Sequence, residues 1–129
     1  IENTERPQLF IGSGVGMTPL VSMFKKAASL NVPTQMIQAV VTEDERPFAQ
    51  KLDSITDNYE QAQLHLHVKD KEGYLEAKEL EQYLREQPEI YICGGTKFLH
   101  SIINSLKELN YDMNHVHFET FIPRLSVQV

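Results

Sequence analysis

Residues 7–24 read Pro-Gln-Leu-Phe-Ile-Gly-Ser-Gly-Val-Gly-Met-Thr-Pro-Leu-Val-Ser-Met-Phe, and the rest of the chain is organised around this stretch. A short apolar run stops at Gly12, and glycine then occupies every second position as far as Gly16. Thr18 can cap a helix, and Pro19 suits the first helical turn, where a missing N–H costs nothing. The stretch therefore predicts a strand, a glycine turn and a helix, whose backbone N–H groups can together bind a phosphate.

The glycine spacing alone does not settle whether this turn binds a ligand. The usual dinucleotide pattern G-x-G-x-x-G is not met, because its third glycine would fall at Met17. A tight strand-to-helix turn also needs glycine for its backbone conformation alone. Phosphate binding and a purely structural turn both stay open at this point.

The composition is that of one globular domain. The chain has 129 residues, 41% of them hydrophobic and 23% charged, and a net charge of -6, which argues against nucleic acid or an anionic membrane surface as partner. No apolar run is long enough to span a membrane, and no signal peptide is visible. The single cysteine, Cys93, favours a reducing, cytoplasmic location. Because the chain begins with Ile1, we expect a fragment of a longer protein.

Helices and strands are predicted to alternate along the chain. Apolar patterns predict strands at 9–11, 36–41, 63–69, 90–93 and 114–119, with helices between them. The first and fourth strands are apolar on both faces, as central parallel strands are, whereas the third and fifth alternate. This predicts an α/β, Rossmann-like fold: a doubly wound five-stranded parallel sheet in the order 3-2-1-4-5, with helices on both faces.

A second glycine turn, Gly94-Gly95, follows the fourth predicted strand. In the order 3-2-1-4-5 the switch point lies between the first and fourth strands, and ligands bind there, outside the carboxyl ends. We therefore expect residues 12–18 and 93–96 to meet at one edge of the sheet. Two glycine turns that converge favour a ligand more strongly than either turn alone.

Three motifs, in this order, resemble those of the pyridine-nucleotide domain of ferredoxin–NADP reductase-like flavoproteins, and most of all the reductase part of flavohaemoglobins. They are Gly-Ser-Gly-Val-Gly-Met-Thr-Pro at 12–19, Tyr-Ile-Cys-Gly-Gly at 91–95 and His-Phe-Glu-Thr-Phe at 117–121. The resemblance implies an NAD(P)-binding domain over 7–123. Residues 1–6 would then end a linker or a preceding domain, and 124–129 would form a tail.

The resemblance also implies a function and a set of site residues. In the family, NADH or NADPH passes a hydride to a flavin, here expected to be an FAD held by a separate N-terminal β-barrel domain outside this chain. The downstream electron acceptor is not implied. The implied cofactor-binding residues are Gly12, Ser13, Gly14, Val15, Gly16, Thr18, Pro19, Lys69, Asp70, Cys93, Gly94, Gly95 and Phe98. The residues implied at the reacting centre are Cys93, Glu119 and Phe121.

The sequence departs from the family pattern at several positions. Gly95 stands where the family usually has proline, and Lys51 where it often has glutamate. NADP-dependent members commonly place serine and arginine after the third strand, whereas this chain has Lys69 and Asp70. Because a carboxylate repels a 2′-phosphate, Asp70 favours NADH, although Lys69 and Lys71 keep NADPH open.

Several chemistry-bearing residues also have plain structural interpretations. Cys93 ends an apolar strand with no neighbouring base in the sequence, which favours a buried thiol over a nucleophile. The histidine pairs 65/67 and 115/117 suggest a metal ligand set, but predicted strands at opposite edges make solvated polar faces the better interpretation. The acids of the stretch 42–46 can hold a ribose or form an exposed turn, and the turn is favoured.

Two other classes of protein share the predicted fold. A phospho-receiver needs acids directly after the first strand, where Ile11-Gly12-Ser13 offers none. Another nucleotide-binding enzyme of this fold, such as a short-chain dehydrogenase or a methyltransferase, usually places an acid at the end of the second strand, where this chain has Val40-Val41. A nucleotide-sensing module of the same fold, without catalysis, stays open as the alternative to the oxidoreductase domain.

Overall fold

The structure is a computed structural model that describes residues 4–120, and it is organised around one parallel sheet. The strands are β1 (Gln8–Ser13), β2 (Thr34–Val40), β3 (Ala62–Val68), β4 (Glu89–Gly94) and β5 (Val116–Thr120). They lie in the order β3-β2-β1-β4-β5, and every neighbouring pair is parallel. The predicted strand order is confirmed.

Helices connect the strands. They are α1 (Thr18–Ser29), α2 (Ala49–Asn58), α3 (Lys69–Glu72), α4 (Ala77–Leu80) and α5 (Thr96–Glu108), with 3-10 turns at Gly14–Met17, Glu81–Leu84 and Met113–His115. The predicted third helix is a single α-turn, α4, that continues as a 3-10 turn. Helix α1 ends at Ser29 and is followed by Asn31, whose φ of 61° is left-handed.

Alternate residues of the central strands point to opposite faces, and each face carries its own core. On one face the buried side chains of β1, β2 and β4 pack with those of α1 and α2, namely Phe10, Phe24, Met36, Leu52 and Tyr91. On the other face they pack mainly against α5, through Ile11, Ile37, Ile92, Ile102 and Leu106. The sheet is therefore doubly wound, as its apolar pattern predicts.

The edge strand β3 is less exposed than predicted. His67 on β3 is only 8% exposed, and its Nε2 lies 2.9 Å from the carbonyl oxygen of Gly73. His65 is partly buried, with its Nε2 2.7 Å from Oε1 of Gln35. The expectation of solvated polar faces is therefore wrong for β3, because the segment after this strand folds back over one of its faces.

None of the helices within residues 4–120 combines the length and the apolar character that crossing a membrane requires.

Candidate functional site

The two glycine turns meet where β1 and β4 end side by side. Gly12 on β1 pairs in register with Cys93 on β4 and with Gln38 on β2. The chain proceeds from β1 through β2 to β3, and then crosses to the other side of β1 to form β4. This reversal is the predicted switch point, and the turns after Ser13 and Gly94 flank it. We refer to this region as the carboxyl edge.

Two glycines at the carboxyl edge are required by close packing. A Cβ added at Gly12 would lie 2.8 Å from Cβ of Met17 and 2.9 Å from Cδ1 of Leu20. A Cβ added at Gly94 would lie 2.7 Å from Cδ2 of Phe98 and 2.7 Å from Oγ of Ser13. These glycines let helices α1 and α5 begin close against the strand ends.

Two other glycines face open space. Gly14 has a φ of 59°, which favours glycine, and Gly95 begins the turn into α5. Among the residues that the structure describes, no atom lies within 4 Å of a Cβ built at either position, apart from immediate chain neighbours and local helix backbone. The carboxyl edge therefore presents bare backbone beside two helix starts, which is an arrangement suited to an anionic ligand.

The start of α1 differs from the prediction in one detail. Thr18 is the first helical residue, and Met17 takes the capping position with no side-chain cap hydrogen bond. Met17 is fully buried, whereas Thr18 and Pro19 are exposed in the first turn. The predicted capping role of Thr18 is wrong. The 3-10 turn Gly14–Met17, which contains Val15 and Gly16, leads directly into α1, so the helix begins at Thr18 and the cap falls one residue earlier, at Met17.

A buried glutamine, which the sequence analysis did not single out, contacts the end of the glycine turn. Gln38 is 0% exposed, and its Nε2 donates to the carbonyl oxygen of Pro47 at 2.8 Å and lies 3.7 Å from Sδ of Met17. Arg46 Nε donates to the Gln38 Oε1 at 3.2 Å. Gln38 therefore joins the turn to the loop after β2. Its only sequence signal is an amide inside the apolar run 36–40.

Cys93 and Glu119 are register neighbours on β4 and β5, so the structure brings these two candidates together. Cys93 is 2% exposed. Burial, and then the charge of Glu119, raise the pKa of the Cys93 thiol, while a backbone hydrogen bond with Gly94 opposes them. The thiol is therefore protonated at neutral pH and is a poor nucleophile. The third candidate for the reacting centre, Phe121, lies outside the described residues.

Lys69 and Asp70 lie on the same edge but two strands away from the glycine turn. They begin α3, directly after β3. The Lys69 Nζ lies 4.5 Å from the centre of the Tyr74 ring, and the Asp70 N–H donates to the carbonyl oxygen of Val41 at 3.0 Å. The structure therefore places this pair beside the loop after β2 and not against the glycines.

The opposite end of the sheet carries a charged cluster that sequence reasoning did not predict. Glu89, 3% exposed at the start of β4, accepts hydrogen bonds from His115 Nδ1 at 2.9 Å and His117 Nε2 at 2.5 Å. Arg6 Nε lies 3.6 Å from Glu89 Oε1. We refer to this end of the sheet, where the strands begin, as the amino edge. Within residues 4–120 no group of three or more His, Cys, Asp or Glu side chains is arranged to hold a metal ion.

Comparison with known proteins gives a consistent result. The family model described as "Oxidoreductase NAD-binding domain" matches residues 10–103, more than half of the chain. Flavohemoprotein B of Dictyostelium discoideum is 27% identical over 97% of this chain, and the match covers 33% of that protein. The flavohemoprotein of Bacillus cereus is 26% identical over 95% of the chain and 34% of its own length.

A solved structure shows the same fold. The flavohem-like FAD/NAD binding domain of nitric oxide dioxygenase from Vibrio cholerae superposes with a TM-score of 0.82 and 25% identity, over 95% of this chain and 54% of that one. The chain spans about one third of the length of the curated relatives it matches.

Proposed function

This chain belongs to the oxidoreductase NAD-binding domain family, and from that premise we propose that its carboxyl edge binds NADH within a larger flavin-dependent oxidoreductase. The observation that carries the proposal is the open backbone at Gly14 and Gly95, set beside two close-packed glycines. A dinucleotide carries an anionic diphosphate, which needs close backbone approach and a helix N-terminus more than it needs cations.

In this proposal the diphosphate lies against residues 12–19. Gly12 lets α1 start close to the strand, and Gly14 leaves room for a phosphate at the turn. The backbone from Ser13 to Gly16, with Thr18 and Pro19 in the first turn of α1, provides the remaining contacts. The twelve residues of α1 direct the positive end of the helix dipole at the same point.

The nicotinamide end lies at the end of β4 in the same proposal. Cys93, Gly94, Gly95 and Phe98 line this end, and Glu119 stands beside Cys93. When bound, NADH supplies the hydride chemistry. The role of this chain is to orient the nicotinamide ring. Cys93 contributes a small protonated side chain, because its raised pKa disfavours a thiolate. We assign Phe121 the flavin side of the site, as the family resemblance implies.

The adenosine end is assigned to the turn after β3. Asp70 begins this turn next to Lys69, and its carboxylate repels the 2′-phosphate that distinguishes NADPH from NADH. We therefore propose NADH as the preferred cofactor.

The flavin is assigned to a separate domain. The curated relatives are about three times as long as the matched region, and the Vibrio cholerae structure is described as an FAD/NAD binding domain. We propose a preceding FAD-binding domain, with residues 1–6 as connection, 7–123 as the NAD-binding domain and 124–129 as a tail. The lone Cys93 is consistent with the reducing environment of the cytoplasm.

The test is a titration of this chain with NADH and NADPH, followed by NMR. We expect saturable binding, with NADH the tighter ligand. Gly14→Val should weaken the affinity for NADH at least about tenfold, because the added side chain occupies the space assigned to the diphosphate. Binding of neither nucleotide by the wild-type chain would contradict the proposal.

A matched control separates occupied space from backbone strain. Asn31 has a φ of 61°, close to the 59° of Gly14, but it follows the C-terminus of α1 at the far end of the sheet. Asn31→Val imposes a similar left-handed strain on a branched side chain. We expect it to lower stability while leaving NADH affinity within about twofold of wild type. Equal losses of NADH affinity in both variants would show that NADH does not bind at the glycine turn.

A further inference from the structure

The loops that follow β2 and β3 are joined at the carboxyl edge. Val40 and Val68 pair at the strand ends. Directly beyond them the Asp70 N–H donates to the carbonyl oxygen of Val41 at 3.0 Å. The Lys71 ammonium then forms an ion pair with the carboxylate of Glu43. Glu43 therefore stands beside the Asp70–Lys71 turn, although it comes from the neighbouring connection.

The charges around this contact favour an uncharged ligand group. The stretch 43–45 carries three acids, and α3 adds Asp70 and Glu72 against two lysines. The hydrogen bond and the charge of Glu43 raise the pKa of Lys71, so this lysine stays charged and directed at a carboxylate. The Lys69 ammonium lies over the Tyr74 ring.

We propose that Glu43 is a specificity-determining residue, which withholds Lys71 from a 2′-phosphate so that the edge accepts the unphosphorylated ribose of NADH. The inference rests on the proposed function, since it assigns the adenosine ribose to this turn. A phosphate monoester carries close to two negative charges at neutral pH and binds through charge-assisted hydrogen bonds to lysine or arginine. Lys69 and Lys71 both adjoin Asp70 in sequence, and of the two it is Lys71 that a carboxylate holds.

The ion pair need not be strong to have this effect. Both side chains are more than half exposed, and such pairs add little to stability. A 2′-phosphate can therefore displace the Glu43 carboxylate from Lys71, but the displaced charge stays within a few ångströms and repels the phosphate. Removing the carboxylate takes away both the competitor for Lys71 and this repulsion.

The experiment compares the affinities of NADH and NADPH for three versions of the chain: wild type, Glu43→Gln and Asp44→Asn. The Asp44 variant is the matched control, because it removes the same charge from the adjacent position of the same loop. We expect Glu43→Gln to improve NADPH relative to NADH by about fivefold, and Asp44→Asn to change the ratio by less than about twofold.

A second substitution tests the route through Lys71. Adding Lys71→Gln to Glu43→Gln should cancel the gain in NADPH affinity, since the freed cation is then absent. An unchanged ratio in Glu43→Gln, or equal shifts in the two single variants, would overturn the role of Glu43 while NADH binding stands. Failure of the wild-type chain to bind either nucleotide would instead overturn the proposed function, and this inference with it.

Discussion

At the carboxyl edge the central strands β1 and β4 run into glycine turns, whereas at the amino edge β4 begins with a buried glutamate. Gly14 and Gly95 leave backbone beside open space. Glu89, on the same strand that leads to Gly95, is bonded to two histidines and lies beside an arginine. One end of the sheet therefore leaves its polar backbone available, and the other uses its polar side chains internally.

Along β4, the end that contributes to stability is therefore distinct from the end that we assign to ligand binding. Buried polar groups cost free energy unless they are paired, so the amino edge holds a nearly closed network in which the acceptor-only carboxylate of Glu89 meets donors. An anion-binding edge needs the reverse, since donors already satisfied within the protein cannot serve a ligand. We therefore expect substitutions at the amino edge, and at the close-packed glycines, to change stability, and those at the open glycines of the carboxyl edge to change affinity.

The largest effect is expected at the amino edge. Glu89→Ala leaves two imidazole donors and the Arg6 charge without their buried acceptor, which should lower the free energy of unfolding by about 3 kcal/mol. Urea unfolding measures this loss. Glu119→Ala, on β5 at the other end of the same strand pair, removes an exposed carboxylate and should change stability by less than about 0.5 kcal/mol. Similar losses in both variants would erase the distinction between the edges.

An intermediate effect distinguishes two adjacent glycines of the carboxyl edge. Gly94→Ala forces a methyl group to within 2.7 Å of Phe98 and Ser13, and should cost about 1–3 kcal/mol of stability. Gly95→Ala places its methyl in open space and should cost less than about 0.5 kcal/mol. Thermal unfolding compares the two. We expect Gly95→Ala to weaken NADH binding although it leaves stability nearly unchanged. If this variant binds NADH as tightly as wild type, Gly95 does not face the ligand.

The smallest effect concerns the thiol at the carboxyl edge. Because burial and Glu119 raise the pKa of Cys93, the protonated thiol persists to higher pH than in an ordinary cysteine. Alkylation by iodoacetamide should therefore be slow at pH 8 and rise at higher pH. Glu119→Gln removes the second cause, so its pH–rate curve should shift to lower pH, with a gain of about twofold at pH 8. Glu108→Gln, on an exposed residue at the end of α5, serves as the control and should leave the curve in place.

The sequence predicted the strand order because burial on two faces leaves a readable pattern. The apolar runs of β1 and β4 indicate central strands, and alternation in β3 and β5 indicates edges, which fixes the switch point. Both glycine turns then fall at one edge by topology alone. The pattern did not reveal that His67 would be buried, because the cover comes from a loop whose path is set by distant contacts.

Local periodicity and the geometry of parallel strands were enough to predict the doubly wound sheet, its strand order and the meeting of the two glycine turns. The folded structure was needed to show which glycines are packed and which are open, that Gln38 contacts the turn, and that Glu89 lies among His115, His117 and Arg6. Those outcomes depend on distances between side chains far apart in the chain, and a one-dimensional pattern carries no such distances.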